Sequence, residues 1–329
     1  MARIGTFGPA AGAFGTSERP AARGPLERSE EDVMAISSVE GPVRDVVVGV
    51  DGSEGGYHAM AWAAGEAVRL AARLVVVHAY AQPVGVGSVT AHGPEPRAEA
   101  ETLVARAGVR FERTTAARTL GTSPGAVDLV AVRGDACAVL VQHARRGAVV
   151  VVGRRGVGTF DRVPMGSISS TVAALAPGTV VVVPRAARAQ EPRRVVVAVD
   201  PREASDRVLE AGFDEADRAG VPLTAAHSAD EGMFAGATDG DLAWLERLRA
   251  EARADLEARV ARWGEKYPAV DWTVGTRGGA VPGALLAALR SDDLVVVCGR
   301  AASLQVGRAR GGPDRIVRHA PCAVAVVHD

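Results

Sequence analysis

Residues Val149 to Val172 read VVVVGRRGVGTFDRVPMGSISSTV. Four consecutive valines are apolar on both faces, the pattern of a parallel strand covered by helices on each side. The run empties into Gly153-x2-Gly156-x9-Gly166-Ser167, and a helix-like segment follows. Glycines let a backbone come close to a partner and turn through positive φ. A helix N-terminus presents unpaired amides and the positive end of its dipole. With the hydroxyls of Ser167 and Ser169, the combination suits an anion, phosphate above all. Ser167 also suits an N-cap, which explains one serine but not the glycines at the strand exit.

The same layout recurs downstream. RDVVVGVDGSEGGYHAMAWAAGEAVRLAARLVVVHAY, from Arg44, is echoed from Arg193 by RRVVVAVDPREASDRVLEAGFDEADRAGVPLTAAHS. Asp51 and Asp200 are 149 residues apart, as are His78 and His227. Further on, VRGDACAVLVQHARRGAVVVVGRRG matches TRGGAVPGALLAALRSDDLVVVCGRAA, and APGTVVVVP matches APCAVAVVHD. A period of about 145–150 residues is a whole domain, not a solenoid unit. The chain therefore divides into a tail (1–42), a first domain (43–187) and a second (188–329), with the linker between Pro184 and Arg193. The tail is rich in Gly, Ala, Pro and Arg without periodicity, and reads as disordered.

Valine-rich runs place strands near 45–51, 74–79, 126–132, 148–153 and 179–184, and in the second copy near 194–200, 222–227, 270–276, 293–298 and 322–328. Alternation with helices implies right-handed βαβ units and an α/β fold of two tandem doubly wound open parallel five-stranded sheets. Ligands of such sheets bind beyond the carboxyl ends of the strands, where the winding reverses. That end carries Asp51 after the first strand and Gly153 after the fourth. In the second copy, Leu242, Leu245, Leu248, Leu256, Val260 and Trp263 form one stripe of a long helix expected to pack on its own sheet.

Bulk properties narrow the function. A net charge of -1 gives no general attraction to nucleic acid or acidic membranes. No apolar run approaches the ~20 residues of a membrane span, and the start lacks a signal peptide's apolar core. Cys137, Cys298 and Cys322 show no CxxC spacing and read as buried reduced thiols of a cytoplasmic protein. Metal-ligand spacings of Cys and His are missing, as is the P-loop G-x4-G-K-[ST]. DGSEGG after the first strand does not fit GxGxxG.

Gly-x2-Gly-x9-Gly-Ser after a fourth strand, together with VGVDGSE at the first, resembles the universal stress protein family, here as a tandem pair spanning roughly Val43 to Asp329. The resemblance implies strand order 3-2-1-4-5, an adenine nucleotide alpha hydrolase-like sheet, with the two copies paired through their last strands and the pair able to dimerise again. It implies ATP as ligand, with Mg²⁺ or Mn²⁺ on the phosphates. Phosphates and ribose fall to Gly153, Arg154, Gly156, Gly166, Ser167, Ile168 and Ser169. Asp51 faces the nucleoside, Gly49 and Val50 line the pocket, and Ala79 meets adenine through its backbone. A carboxylate such as Asp51 suits a ribose hydroxyl or an adenine amine; otherwise it is a turn-former and N-cap for the first helix. Arg154 and Arg155 either pair with phosphate or form a solvated loop face. His78 at a strand end reads as structural.

The second copy departs from this pattern. Its loop is Gly299-x2-Ala302-x9-Gly312-Pro313. If Gly156 is left-handed, Ala302 costs about 1–2 kcal/mol at that position. Pro313 replaces Ser167 and removes a hydroxyl and an amide, yet suits a first helical turn. Losing two phosphate donors weakens affinity roughly a hundredfold. Pro201 follows Asp200 where Gly52 follows Asp51. The expected protein is a nucleotide-binding stress-response module with no catalytic base or arginine finger. The alternatives are an ATP-independent interaction scaffold, or a slow ATPase or cyclic AMP binder. Isothermal titration with ATP should give one site per chain; two equivalent sites would refute the asymmetry.

Overall fold

A computed structural model of the chain describes residues 45–81, 95–121, 125–156, 164–188, 192–199, 206–227, 239–276, 281–299 and 312–328. The tail, the Asp200–Pro201 turn and Ala302 lie outside the described residues. In the first repeat β1 (Val46–Gly49) leads through α1 (Glu54–Arg69) to β2 (Leu74–Tyr80). Next come α2 (Pro96–Glu112), α3 (Ala116–Leu120), β3 (Val127–Arg133), α4 (Ala136–Arg145), β4 (Val149–Gly153), α5 (Ser167–Leu175) and β5 (Thr179–Val183). The second repeat runs β6 (Arg194–Val199), α6 (Asp206–Ala219), β7 (Leu223–His227), α7 (Asp239–Lys266) and β8 (Trp272–Thr276). It ends with α8 (Val281–Ala288), β9 (Asp293–Cys298), α9 (Gly312–His319) and β10 (Ala323–Val327).

Local chemistry sets the helix starts. Ser53 caps α1 by accepting from the Gly56 amide at 3.0 Å, and Asp135 caps α4 by accepting from the Ala138 amide at 2.9 Å. Pro96 opens α2, where its missing amide costs nothing.

Both halves show the expected order. The sheet runs β3-β2-β1-β4-β5-β10-β9-β6-β7-β8, parallel within each half. The halves meet antiparallel at β5 and β10, so the last strands are edges of their own repeats but interior to a joined ten-stranded sheet. Val181 pairs with Ala325, its own repeat counterpart, which makes the seam nearly two-fold.

Alternate residues of the valine runs feed two layers. Val46, Val48, Val181, Val195 and Ala325 pack beneath α1, α6 and α7. Val47, Val150, Val182, Val196 and Val324 pack against α4, α5 and α9. In α7, Leu256 and Val260 are buried and Trp263 packs half-buried on the same layer. The side chains of Leu242, Leu245 and Leu248 lie outside the described residues. Cys322 is buried, and burial pushes its thiol up to about 12. Cys137 and Cys298 are only half-buried, because both lie at the margins of their elements.

Beside the seam, α1 and α6 bring a charged cluster together. Glu66 and Glu215 are repeat counterparts, as are Arg69 and Arg218. Arg69 pairs with Glu66, and Arg218 donates to Glu215 at 2.7 Å. Glu66 is 2% exposed. Burial raises its pKa to about 7 and the Glu215 charge adds to this, while Arg69 and Arg218 oppose it. Folded Glu66 thus holds its proton more tightly than the unfolded chain does. Its contribution to stability is complete below the ordinary carboxylate range and is lost as pH rises through about 7. Urea midpoints of the wild type should fall between pH 5 and 8 by the equivalent of a few kcal/mol, and Glu66→Gln should flatten that slope. Equal slopes for both proteins would contradict the burial account.

Candidate functional site

The carboxyl ends of β1 and β4 lie side by side, since the two strands pair in register from Val46–Val149 to Gly49–Val152. Beyond β1, the buried Val50 donates to Val77 at 2.9 Å and accepts from His78 Nδ1 at 2.8 Å. His78 thereby ties the exit of β2 to that of β1, the structural role expected of it. Gly49 packs beneath Leu140 of α4. Ala79 lies further along β2, opposite Val132 of β3 and half-buried on the same edge.

Asp51 is half-buried. Its Oδ1 accepts from the Ser53 amide at 3.1 Å and from Ser53 Oγ at 2.6 Å. Asp51 is therefore the turn-former, and the cap of α1 is Ser53, two residues later. Gly52 between them sits at φ +82°, in the left-handed region. Proline is held at φ about −65°, and the second repeat has Pro201 at this place in its sequence, outside the described residues.

Gly156 is not left-handed; it is absent from the positive-φ glycines of the described chain. Its requirement is space. A Cβ at Gly156 would lie 2.1 Å from Asp51 Oδ2. The loop after β4 and the first turn of α1 interlock backbone to backbone: a Cβ at Gly153 would meet the Gly55 carbonyl at 2.9 Å, and one at Gly55 the Arg155 carbonyl at 2.5 Å. Alanine here thus carries no backbone penalty; its methyl would push the Asp51 carboxylate out of its place. Gly55 and Gly56 belong to this interlock, and sequence reasoning passed over them. Their signal was the second copy, which has Ala204 and Ser205 in their places.

On the other side, the loop runs into α5. The cap is Gly166, at φ −70° and ψ 156° with no side-chain hydrogen bond, and Ser167 is the first helical residue. Ser167 falls one place late for capping because Gly166 already has the extended conformation of a cap. The Gly166 amide donates to the Arg154 carbonyl at 2.9 Å. Ser169 is buried, and its hydroxyl donates to the Gly153 carbonyl at 2.6 Å, fastening α5 to the strand exit. Its proton is committed there. Ser167 is exposed, as is Ile168 at 42%. The amides of Ser167, Ile168 and Ser169 have no acceptor within the helix, and no side chain caps them. This end of α5 suits an anion, with the Asp51 carboxylate across the loop as acceptor for a hydroxyl or amine.

Arg154 departs from the phosphate role. Its guanidinium donates to the Ala320 carbonyl in the second repeat at 2.7 Å. Among the described residues no group of three His, Cys, Asp or Glu stands where it could hold a metal. No described helix is long and apolar enough to cross a membrane.

Comparison with known proteins adds the lineage. The sequence model of the Universal stress protein family matches residues 42–184 and again 191–328. A universal stress protein of Mycolicibacterium smegmatis is 33% identical over 231 residues, covering 68% of this chain and 76% of its own. Another, from Mycobacterium tuberculosis, is 32% identical over 241 residues with the same coverage. The crystal structure of a universal stress protein from Archaeoglobus fulgidus superposes over 88% of this chain and 99% of its own, with TM-score 0.58 at 16% identity, a likeness of fold. With both repeats matched and relatives above 30% identity, the chain belongs to the universal stress protein family, as a tandem two-domain member.

Proposed function

We propose that the first repeat binds an adenine nucleotide, ATP with Mg²⁺ or Mn²⁺ on its phosphates, and that the protein acts as a cytoplasmic nucleotide-dependent regulatory or interaction module. The observation that carries this reading is the uncapped first turn of α5 facing a loop braced by Asp51. In it, the amides from Ser167 to Ser169 take phosphate oxygens, and the loop from Gly153 to Gly156 supplies the close backbone approach. Asp51 accepts from a ribose hydroxyl or the adenine amine. Gly49, Val50 and Ala79 line the nucleoside side. The metal would sit on the phosphates, since no described side-chain cluster offers it a seat.

The reading is one of binding and not of turnover, because it assigns no base and no arginine finger. The second repeat, with Pro201 in place of Gly52 and alanine in place of Gly55 and Gly156, serves it as a structural partner.

At about a hundredfold excess over its dissociation constant, ATP should stabilise the wild type by about 2.7 kcal/mol. The Gly156→Ala, Ser167→Ala variant should fold with the same circular dichroism and lose that protection. A variant protected like the wild type would remove α5 and its loop from the site. Phosphate release from ATP by the wild type should stay at the variant's background; release above it would make the protein an ATPase.

A further inference from the structure

Arg154 lies inside the candidate loop, yet its side chain leaves it. Its main chain holds the loop together: the amide donates to the Val183 carbonyl at 2.9 Å, and the carbonyl accepts from Gly166, the cap of α5, also at 2.9 Å. Its guanidinium crosses the seam to Ala320, the residue that follows α9. By repeat position α9 is the counterpart of α5.

The second repeat returns the contact. His328 donates from Nε2 to the Ala173 carbonyl of α5 at 2.9 Å. Its ring packs on Gly299, the counterpart of Gly153, so tightly that a Cβ there would lie 2.3 Å from Nδ1. Each repeat's fourth-strand exit is thus tied to the helix that follows the other's.

The Arg154 contact is chemically selective. Burial lowers the pKa of the guanidinium, with the Arg155 charge adding to the effect. Among the described residues no carboxylate pairs with it. What holds it is the carbonyl end of α9, the negative pole of that helix. A half-buried cation anchored in this way has few other places to go, so the peptide that carries it is fixed as well.

Resting on the nucleotide reading above, we propose that Arg154 is a positioning residue of the first-repeat site. Anchored on the end of α9, it holds the Gly153–Gly156 loop and the start of α5 in the geometry that receives phosphate, so that the second repeat completes the site of the first. Nucleotide bound at α5 is then felt at α9.

The test uses the full-length wild type, Arg154→Gln and Arg154→Lys, with amide hydrogen exchange and ATP titration. Without nucleotide, Arg154→Gln should speed exchange at Gly166 and Ser170 and, across the seam, at Ala320, by about tenfold or more, with β1 unchanged and lysine intermediate. With ATP, the wild type should slow exchange at Ala320 as well as at its own loop. The glutamine variant should bind ATP about tenfold more weakly, and lysine should recover part of that loss. Unchanged exchange in the nucleotide-free glutamine variant overturns the inference whether or not ATP binds. If ATP affinity falls while Ala320 never responds, Arg154 touches the phosphates directly and the positioning role is refuted. Coupled exchange in a wild type that binds no nucleotide overturns the proposed function, and the positioning role with it, leaving a contact of the seam alone.

Discussion

The antiparallel pairing of β5 with β10 is the constraint on which the rest of the molecule rests. Each five-stranded half ends in a strand that is apolar on both faces, and such an edge, left open, recruits other chains. Pairing the two edges removes both at once. Val180, Val182, Val324 and Val326 then sit in one layer and Val181, Val183, Ala325 and Val327 in the other, all at most 4% exposed. Two cores become two layers that run unbroken across the joint. Because Val181 faces its counterpart Ala325, the near two-fold relation brings equivalent features into reach of one another. The Glu66 and Glu215 cluster follows from that geometry, and the contacts of Arg154 and His328 cross the same seam.

The strands were legible because burial on both faces leaves a direct trace, a run of valines with no polar alternation. The position of the candidate site was proposed for a related reason: in an open parallel sheet the carboxyl ends of the central strands are where loops from opposite faces diverge. What the sequence concealed depends on contacts between distant residues. Beside its nucleoside reading, Asp51 looked able both to turn the chain and to cap α1, and only the placement of Ser53 assigns the cap elsewhere. Gly156 looked like a residue chosen for its backbone angle, when its constraint is the carboxylate of Asp51, 105 residues earlier in the chain. Arg154 read as a phosphate ligand or a solvated residue because neither Ala320 nor the seam can be seen from its neighbours. The Glu66–Arg69 pair left a usable mark, since Glu215 and Arg218 repeat it at the same spacing, but a lone i, i+3 pair ordinarily means a solvated helix face.

The two repeats can be separated by what each tolerates at Cβ. In the first, the loop after β4 and the start of α1 approach so closely that Gly55 and Gly153 leave no room for a methyl group, while one at Gly56 or Gly156 would have to displace the Asp51 carboxylate. The second has Ala204, Ser205 and Ala302 at three of these positions, and Pro201 where the turn needs φ +82°. Those substitutions cannot build the same interlock, whatever conformation the chain adopts there. The features that act on the first repeat are present all the same. The valines of β10 pair with β5, the end of α9 receives Arg154, and His328 reaches α5. A repeat that has lost the glycines of its own loop while presenting these groups is fitted to support its neighbour. On the proposed reading, the two-fold relation of the sheet serves one site, and the asymmetry of the sequence resides in a handful of glycines at the strand ends.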